Sequence, residues 1–239
     1  MMTCSYCIVA FAPRNFGIAH RSRAGPVLMA SGGALNVRAV GIGSAAPSTV
    51  ITNADLETVV ETTDEWISTR TGISQRHVLV ASEGEGSEPQ RLSDLSTAAA
   101  SHALAMSGLS PTDIDLIICA SSTPDELFGD ATTVQAALGC TNAVAFDLVA
   151  ACSGFLFGTV TAGQFLSHEG GHMKNALVIG SDALSRWVDW DDRNVCILFG
   201  DGAGAMVLSK CDEGDKGSFG LLGYSLHSDG TSKCDLSSP

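Results

Sequence analysis

Short runs of β-branched residues alternate with amphipathic stretches from Asn36 onward, and this alternation restricts the chain to a sheet covered by helices, an α/β fold. Predicted strands cover residues 37–43, 116–121, 143–148, 176–179 and 217–226. Predicted helices begin at Asn53, taken as an N-cap, and cover residues 92–106, 131–138 and 152–166, with Gly108, Gly139 and Gly170-Gly171 closing the last three.

Glycine-rich stretches at 41–46 and 200–204 resemble nucleotide-binding loops only superficially. Pro47 and Ser48 follow the first stretch where a dinucleotide site requires a helix, and the second lacks the Lys-Ser/Thr of a phosphate loop. We therefore predict tight turns at both, with residues 195–199 and 203–208 forming a hairpin around Gly200-Asp-Gly202.

The charge excludes two classes of partner. The net charge is −13 with only 13 Lys and Arg residues, which argues against nucleic acid and against anionic membrane surfaces. The sequence has no 18-residue apolar stretch, so we expect no membrane insertion.

The N-terminal segment has a different composition from the rest. It carries arginines but no acidic residue before Asp55, and an apolar run, YCIVAFA at 6–12, is too short to cross a bilayer. Residues 1–35 are therefore interpreted as a disordered signal or transit segment for plastid import, with a mitochondrial or bacterial-style extension as the alternative.

The cysteines do not form a recognisable disulfide or metal pattern. Of the eight cysteines, Cys4-x-x-Cys7 has neither a second pair nor a histidine pair, so we expect no metal site. Cys119, Cys140 and Cys196 lie in apolar contexts typical of structural thiols.

Cys152 is the candidate nucleophile. A predicted buried strand ends in small residues and Cys152 opens a helix in FDLVAACSGF, where the peptide dipole favours thiolate over thiol. Ala150, Ala151, Ser153 and Gly154 are small enough to admit a thioester substrate to the sulfur. The alternative is a buried structural cysteine.

Two aromatic clusters are candidate binding sites. Trp66 and Arg70 are spaced to share one helical face, which would place a stacking surface beside a phosphate-pairing guanidinium. Trp187 and Trp190 lie among acids and arginines at 185–194. Spacing alone is equally consistent with core packing of these tryptophans.

Four motifs together resemble β-ketoacyl-acyl-carrier-protein synthase III, particularly its plastid form. They are TTDEWISTRTGI at 62–73, AACSGF at 150–155, GSDALSRWVDWDDRNVCILFGDGAGA at 180–205 and LHSDG at 226–230. The resemblance covers about residues 36–232 and implies a thiolase-like layered fold. Residues 36–211 would form an essentially complete N-terminal half, and residues 212–239 would begin the C-terminal half.

The resemblance also implies residue roles. Cys152 matches the family's nucleophile, and its backbone N–H would supply half of an oxyanion hole. The residues matching coenzyme A contacts are Thr62, Trp66, Arg70 and Arg193, with Trp66 and Arg193 on either side of the adenine. Phe199 matches a residue of the acyl tunnel, and Asn194 replaces the family's usual glycine.

The implied reaction is ping-pong condensation of acetyl-CoA with malonyl-acyl-carrier protein, initiating type II fatty-acid biosynthesis in the plastid (chloroplast) stroma. No cofactor is implied, because both thioesters are substrates, and the partners implied are acyl-carrier protein and a second copy of the chain. The family's decarboxylation-assisting His and Asn have no matching motif here, so this chain alone is expected to lack full activity. Alternatives are another thiolase-superfamily acyltransferase, of the hydroxymethylglutaryl-CoA or polyketide type, or a non-catalytic fragment that binds CoA or dimerises.

Overall fold

The computed structural model describes residues 30–80, 90–212 and 220–228. The strands are β1 Ala30–Gly32, β2 Val37–Ala45, β3 Val50–Thr52, β4 Gln75–His77, β5 Leu116–Ala120, β6 Val144–Leu148, β7 Asn175–Ala183, β8 Asp201–Lys210 and β9 Tyr224–Leu226. The helices are α1 Asn53–Leu56, α2 Asp64–Thr71, α3 Leu92–Ser107, α4 Ala131–Leu138 and α5 Gly154–Ser167.

A mixed five-stranded sheet in the order β2-β8-β7-β5-β6 carries the fold. Its β5 runs parallel to both β6 and β7, whereas β8 runs antiparallel to β7 and β2. Two-stranded pairs, β1-β9 and β3-β4, lie outside this sheet. The α/β class predicted from the alternation is therefore confirmed.

The two faces of the sheet are covered by different helices. Ile117 and Cys119 of β5 pack with α3 and α4, while Leu116 and Ile118 of the same strand pack with α5. Successive side chains of a strand point to opposite faces, so the fully apolar β5 serves two cores at once. The helices consequently sandwich the sheet.

Glycines inside β2 allow α3 to approach its backbone closely. A Cβ built on Gly41 would lie 2.1 Å from the Ala103 carbonyl oxygen, and one on Gly43 would lie 2.2 Å from that of Ala99. The tight turn predicted at 41–46 is therefore wrong, because these glycines lie in a strand and are required by helix packing. Gly202 and Gly204 likewise lie inside β8 rather than in a turn.

The predicted hairpin at 195–208 is also wrong. Residues 193–198 form consecutive turns, and β8 pairs with β7 and β2 instead. Buried Cys196 and Ile197 pack against Leu56 and Ile67, so the apolar run is used for a third core cluster rather than for a strand.

Two helix boundaries differ from the prediction. Thr52 caps α1 through a reciprocal pair with Asp55, while Asn53 is buried and bonds elsewhere. Helix α5 ends at Ser167 with His168 as its C-cap, before the predicted Gly170-Gly171. The long helix with its left-handed Gly108 cap, and α4 with Gly139, are confirmed.

Residues 30–35 are ordered, although we assigned them to the end of the targeting segment. Strand β1 pairs with β9, and Leu35 is buried and donates its N–H to the Leu221 carbonyl. The folded chain therefore begins before residue 36. The rest of the predicted targeting segment, 1–29, lies outside the described residues, as does the greater part of 212–239.

Candidate active site

Cys152 lies on a strained turn between β6 and α5. Ala151 has φ of +46°, a left-handed conformation that is uncommon for a residue with a Cβ, and residues 151–153 form a 3₁₀ turn ahead of the helix. This turn leaves the Cys152 side chain exposed at the start of α5, as the sequence predicted to within two residues. Strain of this kind is characteristic of residues that present a reactive group.

The other described cysteines, Cys119, Cys140, Cys196 and Cys211, are buried. Burial, together with nearby Asp147, raises the pKa of the Cys119 thiol to about 12, which makes it unreactive near neutral pH. Among the described thiols, Cys152 is thus the one that a solvent-borne substrate can reach.

A cavity of about 500 Å³ opens over Cys152. Its wall is dominated by glycine, alanine and apolar side chains from β2, β5, β7, β8 and the start of α5, with Asp182 and Ser181 as polar members. The lining residues are Ile42, Gly43, Ala120, Ala151, Cys152, Phe155, Gly180, Ser181, Asp182, Gly200, Gly202, Gly204, Ala205 and Met206. Small residues leave room beside the sulfur for an extended acyl thioester.

Asp182 is a cavity residue that the sequence analysis did not single out. Its Oδ1 accepts hydrogen bonds from the Ser122 N–H at 2.8 Å and from the hydroxyls of Thr123 and Ser121 at 3.3 and 3.5 Å. Burial raises its pKa despite these bonds. The available signal was an acid directly after the buried apolar run of β7, in GSD at 180–182.

The structure brings Trp66, Arg70 and Arg193 together, a group called the Trp66 cluster below. The Arg70 guanidinium carbon lies 4.3 Å from the centre of the Trp66 ring, and that of Arg193 lies 4.9 Å from it. Trp66 sits in the first turn of α2, where its N–H donates to the Thr63 hydroxyl at 3.1 Å, and Arg193 donates to the Glu61 carbonyl at 3.1 Å. Residues 127 positions apart in the chain thus form one stacking site.

The other residues singled out by the resemblance, Thr62, Asn194 and Phe199, lie in different settings. The Thr62 hydroxyl oxygen is buried and has no hydrogen-bond partner among the described residues. Asn194 bonds the Asp192 carboxylate through its N–H at 2.9 Å and its side-chain amide at 3.1 Å, and its φ is not positive, so this turn does not require glycine. Phe199 is not among the residues lining the cavity, although the adjacent Gly200 is.

The two tryptophans of the 185–194 segment differ in burial. Trp190 packs against the third core cluster and donates its indole N–H to the Ser185 carbonyl at 3.1 Å, whereas the Trp187 side chain is exposed. The packing interpretation therefore holds for Trp190.

Residues 193–204 connect the Trp66 cluster with the cavity over Cys152. Arg193 stacks at the Trp66 cluster, and Gly200, Gly202 and Gly204 line the cavity over Cys152. A ligand with a planar nucleotide at one end and a thioester at the other could contact both parts.

Metal and membrane features are not found in the part of the chain that the structure describes. No three His, Cys, Asp or Glu side chains there are grouped to hold a metal ion. None of the helices in the same ranges is long and apolar enough to cross a membrane.

Comparison with known proteins shows which family the chain is similar to. Residues 146–230 match the model of the 3-oxoacyl-acyl-carrier-protein (ACP) synthase III family. The chain is 55% identical over 197 residues to the β-ketoacyl-acyl-carrier-protein synthase III of Trichormus variabilis, covering 82% of this chain and 56% of that protein. It is 56% identical over 205 residues to the same enzyme of a Synechococcus strain, covering 86% and 57%.

A solved structure of the same kind of enzyme superposes on this chain. The crystal structure of 3-oxoacyl-acyl-carrier-protein synthase III from Aquifex aeolicus superposes with a TM-score of 0.67 at 43% identity, over 74% of this chain and 55% of that one. The thiolase-like fold implied by the motifs is thereby confirmed. The chain spans a little over half the length of the curated relatives it matches.

Proposed function

We propose that the chain acts as a member of the β-ketoacyl-acyl-carrier-protein synthase III family, to which it is similar over the length it shares with these relatives, and that it takes an acetyl group from coenzyme A onto Cys152. The acetyl group then serves the decarboxylative condensation that initiates type II fatty-acid biosynthesis. The observation that carries this proposal is the exposed Cys152 on a strained turn at the mouth of a cavity.

The loading step is a thioester exchange. The Cys152 sulfur attacks the acetyl carbonyl, the carbon–sulfur bond to coenzyme A breaks, and coenzyme A departs with the electron pair of that bond. The Cys152 N–H, at the start of the turn, donates to the oxyanion that forms on the carbonyl oxygen. Glycine and alanine walls give the acetyl group and the pantetheine arm access to the sulfur.

The Trp66 cluster binds the nucleotide of coenzyme A in this proposal. A planar base stacked between two groups needs about 7 Å between them, twice a normal contact of about 3.5 Å. Arg193 lies 4.9 Å from the Trp66 ring, so its side chain swings outward to admit the adenine. Arg70 remains beside Trp66 as a cation for the phosphates, and the Thr62 hydroxyl is an available donor.

The second half of the reaction uses malonyl-acyl-carrier protein. Malonyl decarboxylates, its carbanion attacks the acetyl carbon on Cys152, and the carbon–sulfur bond to Cys152 breaks to give acetoacetyl-acyl-carrier protein. The names of the relatives, which specify an acyl-carrier-protein synthase, support this acceptor. The family resemblance assigns the decarboxylation step to a His and an Asn that match no motif of this chain.

Homodimerisation is supported by an apolar patch around the sheet edge, formed by Leu127, Phe128, Val144 and Val149. Strand β6 is the last strand of the sheet, and Val144 and Val149 at its two ends are exposed. Leu127 and Phe128 are 90% and 94% exposed on the loop that Asp147 of β6 holds through the Asp130 N–H at 2.9 Å. Exposed apolar side chains along the edge of β6, with which no other described strand pairs on that side, favour a second copy as partner.

A plastid location is supported by the cyanobacterial origin of the relatives, since plastids descend from such organisms, and by the acid-free composition of the first 54 residues. We propose the plastid stroma as the site of action.

Supplying the chain with acetyl-CoA and malonyl-acyl-carrier protein in sequence tests the two steps. We expect free coenzyme A to be released in the first step, and acetoacetyl-acyl-carrier protein to be formed where the His and Asn are supplied. Cys152→Ala should abolish coenzyme A release, while Cys140→Ala, which alters a buried thiol, should not. Unchanged release by Cys152→Ala would refute the assignment.

A further inference from the structure

A buried arginine, Arg76 on β4, lies between α2, which carries Trp66, and the turns at 193–198, which carry Arg193. It is 5% exposed and has no carboxylate within ion-pair distance among the described residues. It donates instead from Nη1 to the Ile51 carbonyl at 3.3 Å, and from Nη2 to the Ile197 carbonyl at 3.2 Å and the Asn53 side-chain oxygen at 2.9 Å. Burial lowers the pKa of Arg76, which reflects the cost of desolvating a cation.

Asn53, which accepts a hydrogen bond from Arg76, is itself hydrogen-bonded to α2. It is 1% exposed, and its side-chain amide donates to Asp64 Oδ1 at 2.7 Å, to the Ile73 carbonyl at 2.8 Å and to the Ser68 hydroxyl at 3.3 Å. Asp64 is the first residue of α2, two positions before Trp66. Ile197 follows Arg193 by four positions in the turns at 193–198.

The hydrogen bonds therefore run from Ile197 through Arg76 and Asn53 to Asp64. The third core cluster, which includes Leu56, Ile67 and Cys196, holds the same elements together by apolar contact. Because apolar contacts are non-directional, they do not fix how the elements are oriented. Hydrogen bonds between buried groups have narrow distance and angle limits and so fix the relative placement of the elements they join.

We propose that Arg76, Asn53 and Asp64 are positioning residues that fix the placement of α2, which carries Trp66, relative to the turns at 193–198, which carry Arg193, and thereby select for thioesters that carry the coenzyme A nucleotide. This inference rests on the proposed function. None of these three residues lines the cavity over Cys152, so they act on nucleotide recognition and leave the chemistry of acyl transfer unaltered.

The test compares two acetyl donors, acetyl-CoA and acetyl-pantetheine, which lacks the nucleotide. The rate of Cys152 acetylation is measured by mass spectrometry against donor concentration for the full chain, for Asp64→Ala and for the control Glu65→Ala. Both variants remove one acid from the first turn of α2, but the Glu65 side chain makes no hydrogen bond to any described residue.

We expect Asp64→Ala to raise the half-saturating concentration of acetyl-CoA about fivefold, as expected for the loss of one hydrogen bond of ordinary net strength. The rate at saturation and the rate with acetyl-pantetheine should stay unchanged, and Glu65→Ala should match the unsubstituted chain. Arg76→Met, which cuts the bridge at its centre, should give the same donor-specific change. The ratio between donors does not depend on how much of the sample is folded.

An equal effect on both donors, or none on either, would overturn the positioning role and leave the proposed function standing. Failure of the unsubstituted chain to accept acetyl from acetyl-CoA would overturn the proposed function, and this inference with it.

Discussion

At the scale of single residues, the backbone at Ala151 is what turns an ordinary cysteine into a candidate nucleophile. A left-handed conformation costs a residue with a Cβ about 1–2 kcal/mol, and here it precedes the exposed Cys152. The sequence placed Cys152 at a helix start because small residues and an apolar run adjoin it. It did not reveal the strain, since alanine gives no local sign of positive φ.

Stacking on Trp66 gives a residue-scale prediction. Removal of the ring in Trp66→Ala should weaken coenzyme A binding about 10- to 100-fold, because stacking of a base on an aromatic side chain contributes about 1–3 kcal/mol. Isothermal titration calorimetry measures this directly. The matched control is Trp187→Ala, which removes a 67% exposed tryptophan that has no described arginine stacked on it. Binding by Trp66→Ala within twofold of the unsubstituted chain would contradict the assignment.

At the scale of elements, the local sequence pattern located the helices. It did not predict the long-range contacts that cap a helix or that turn an expected strand into packed turns. Periodicity and Gly108 located α3, yet its N-terminus is capped by Asp125, which lies 33 residues away from Leu92. The β-branched run at 195–199 has strand propensity, but burial of Cys196 and Ile197 against α1 and α2 overrides it. Long-range partners of this kind leave no mark in a local window.

The Asp125 cap predicts a pH-dependent stability. Burial alone would raise the pKa of Asp125, but hydrogen bonds from Ser93, Arg186 and Leu92 outweigh it and the pKa is lowered. A lowered carboxyl pKa stabilises the fold above the unfolded value of about 3.9 and loses this contribution as the pH falls through the folded value. Asp125→Asn should therefore lower the free energy of unfolding by about 1.5–3 kcal/mol at pH 7.

Urea unfolding of Asp125→Asn across a pH series tests whether the stability that Asp125 contributes falls as the pH falls. The difference from the unsubstituted chain should shrink as the pH falls below the unfolded value of about 3.9 toward the lowered pKa of Asp125 in the folded chain. Glu126→Gln is the control, because its ion pair with Arg91 at 2.7 Å is exposed and should contribute less than about 1 kcal/mol. A pH-independent loss in Asp125→Asn would contradict the explanation.

At the scale of the whole molecule, the five-stranded sheet is covered by helices on both faces, and no other described strand pairs with the outer edge of β6. The alternation of strands and helices predicted the class and the four motifs predicted the family, whereas strand order and the residues left exposed followed only from the structure. Leu127 and Phe128 illustrate the limit, since no sequence window distinguishes an exposed apolar pair in a loop from a buried one.

The proposed dimer can be tested at this edge. Leu127→Ser combined with Phe128→Ser should convert dimers into monomers in sedimentation velocity, because the two side chains are the most exposed members of the apolar patch. Val59→Ser, at an exposed apolar residue after α1, should remain dimeric at the same protein concentration. A monomeric unsubstituted chain, or a dimeric double variant, would refute a dimer at β6.

The central claim is acyl transfer to Cys152, and peptide mapping after exposure to acetyl-CoA tests it most directly. The account predicts acetyl on the peptide containing Cys152, released by hydroxylamine as a thioester and absent from Cys152→Ser. Acetyl found only on other residues, or none on a folded chain that binds coenzyme A, would contradict it.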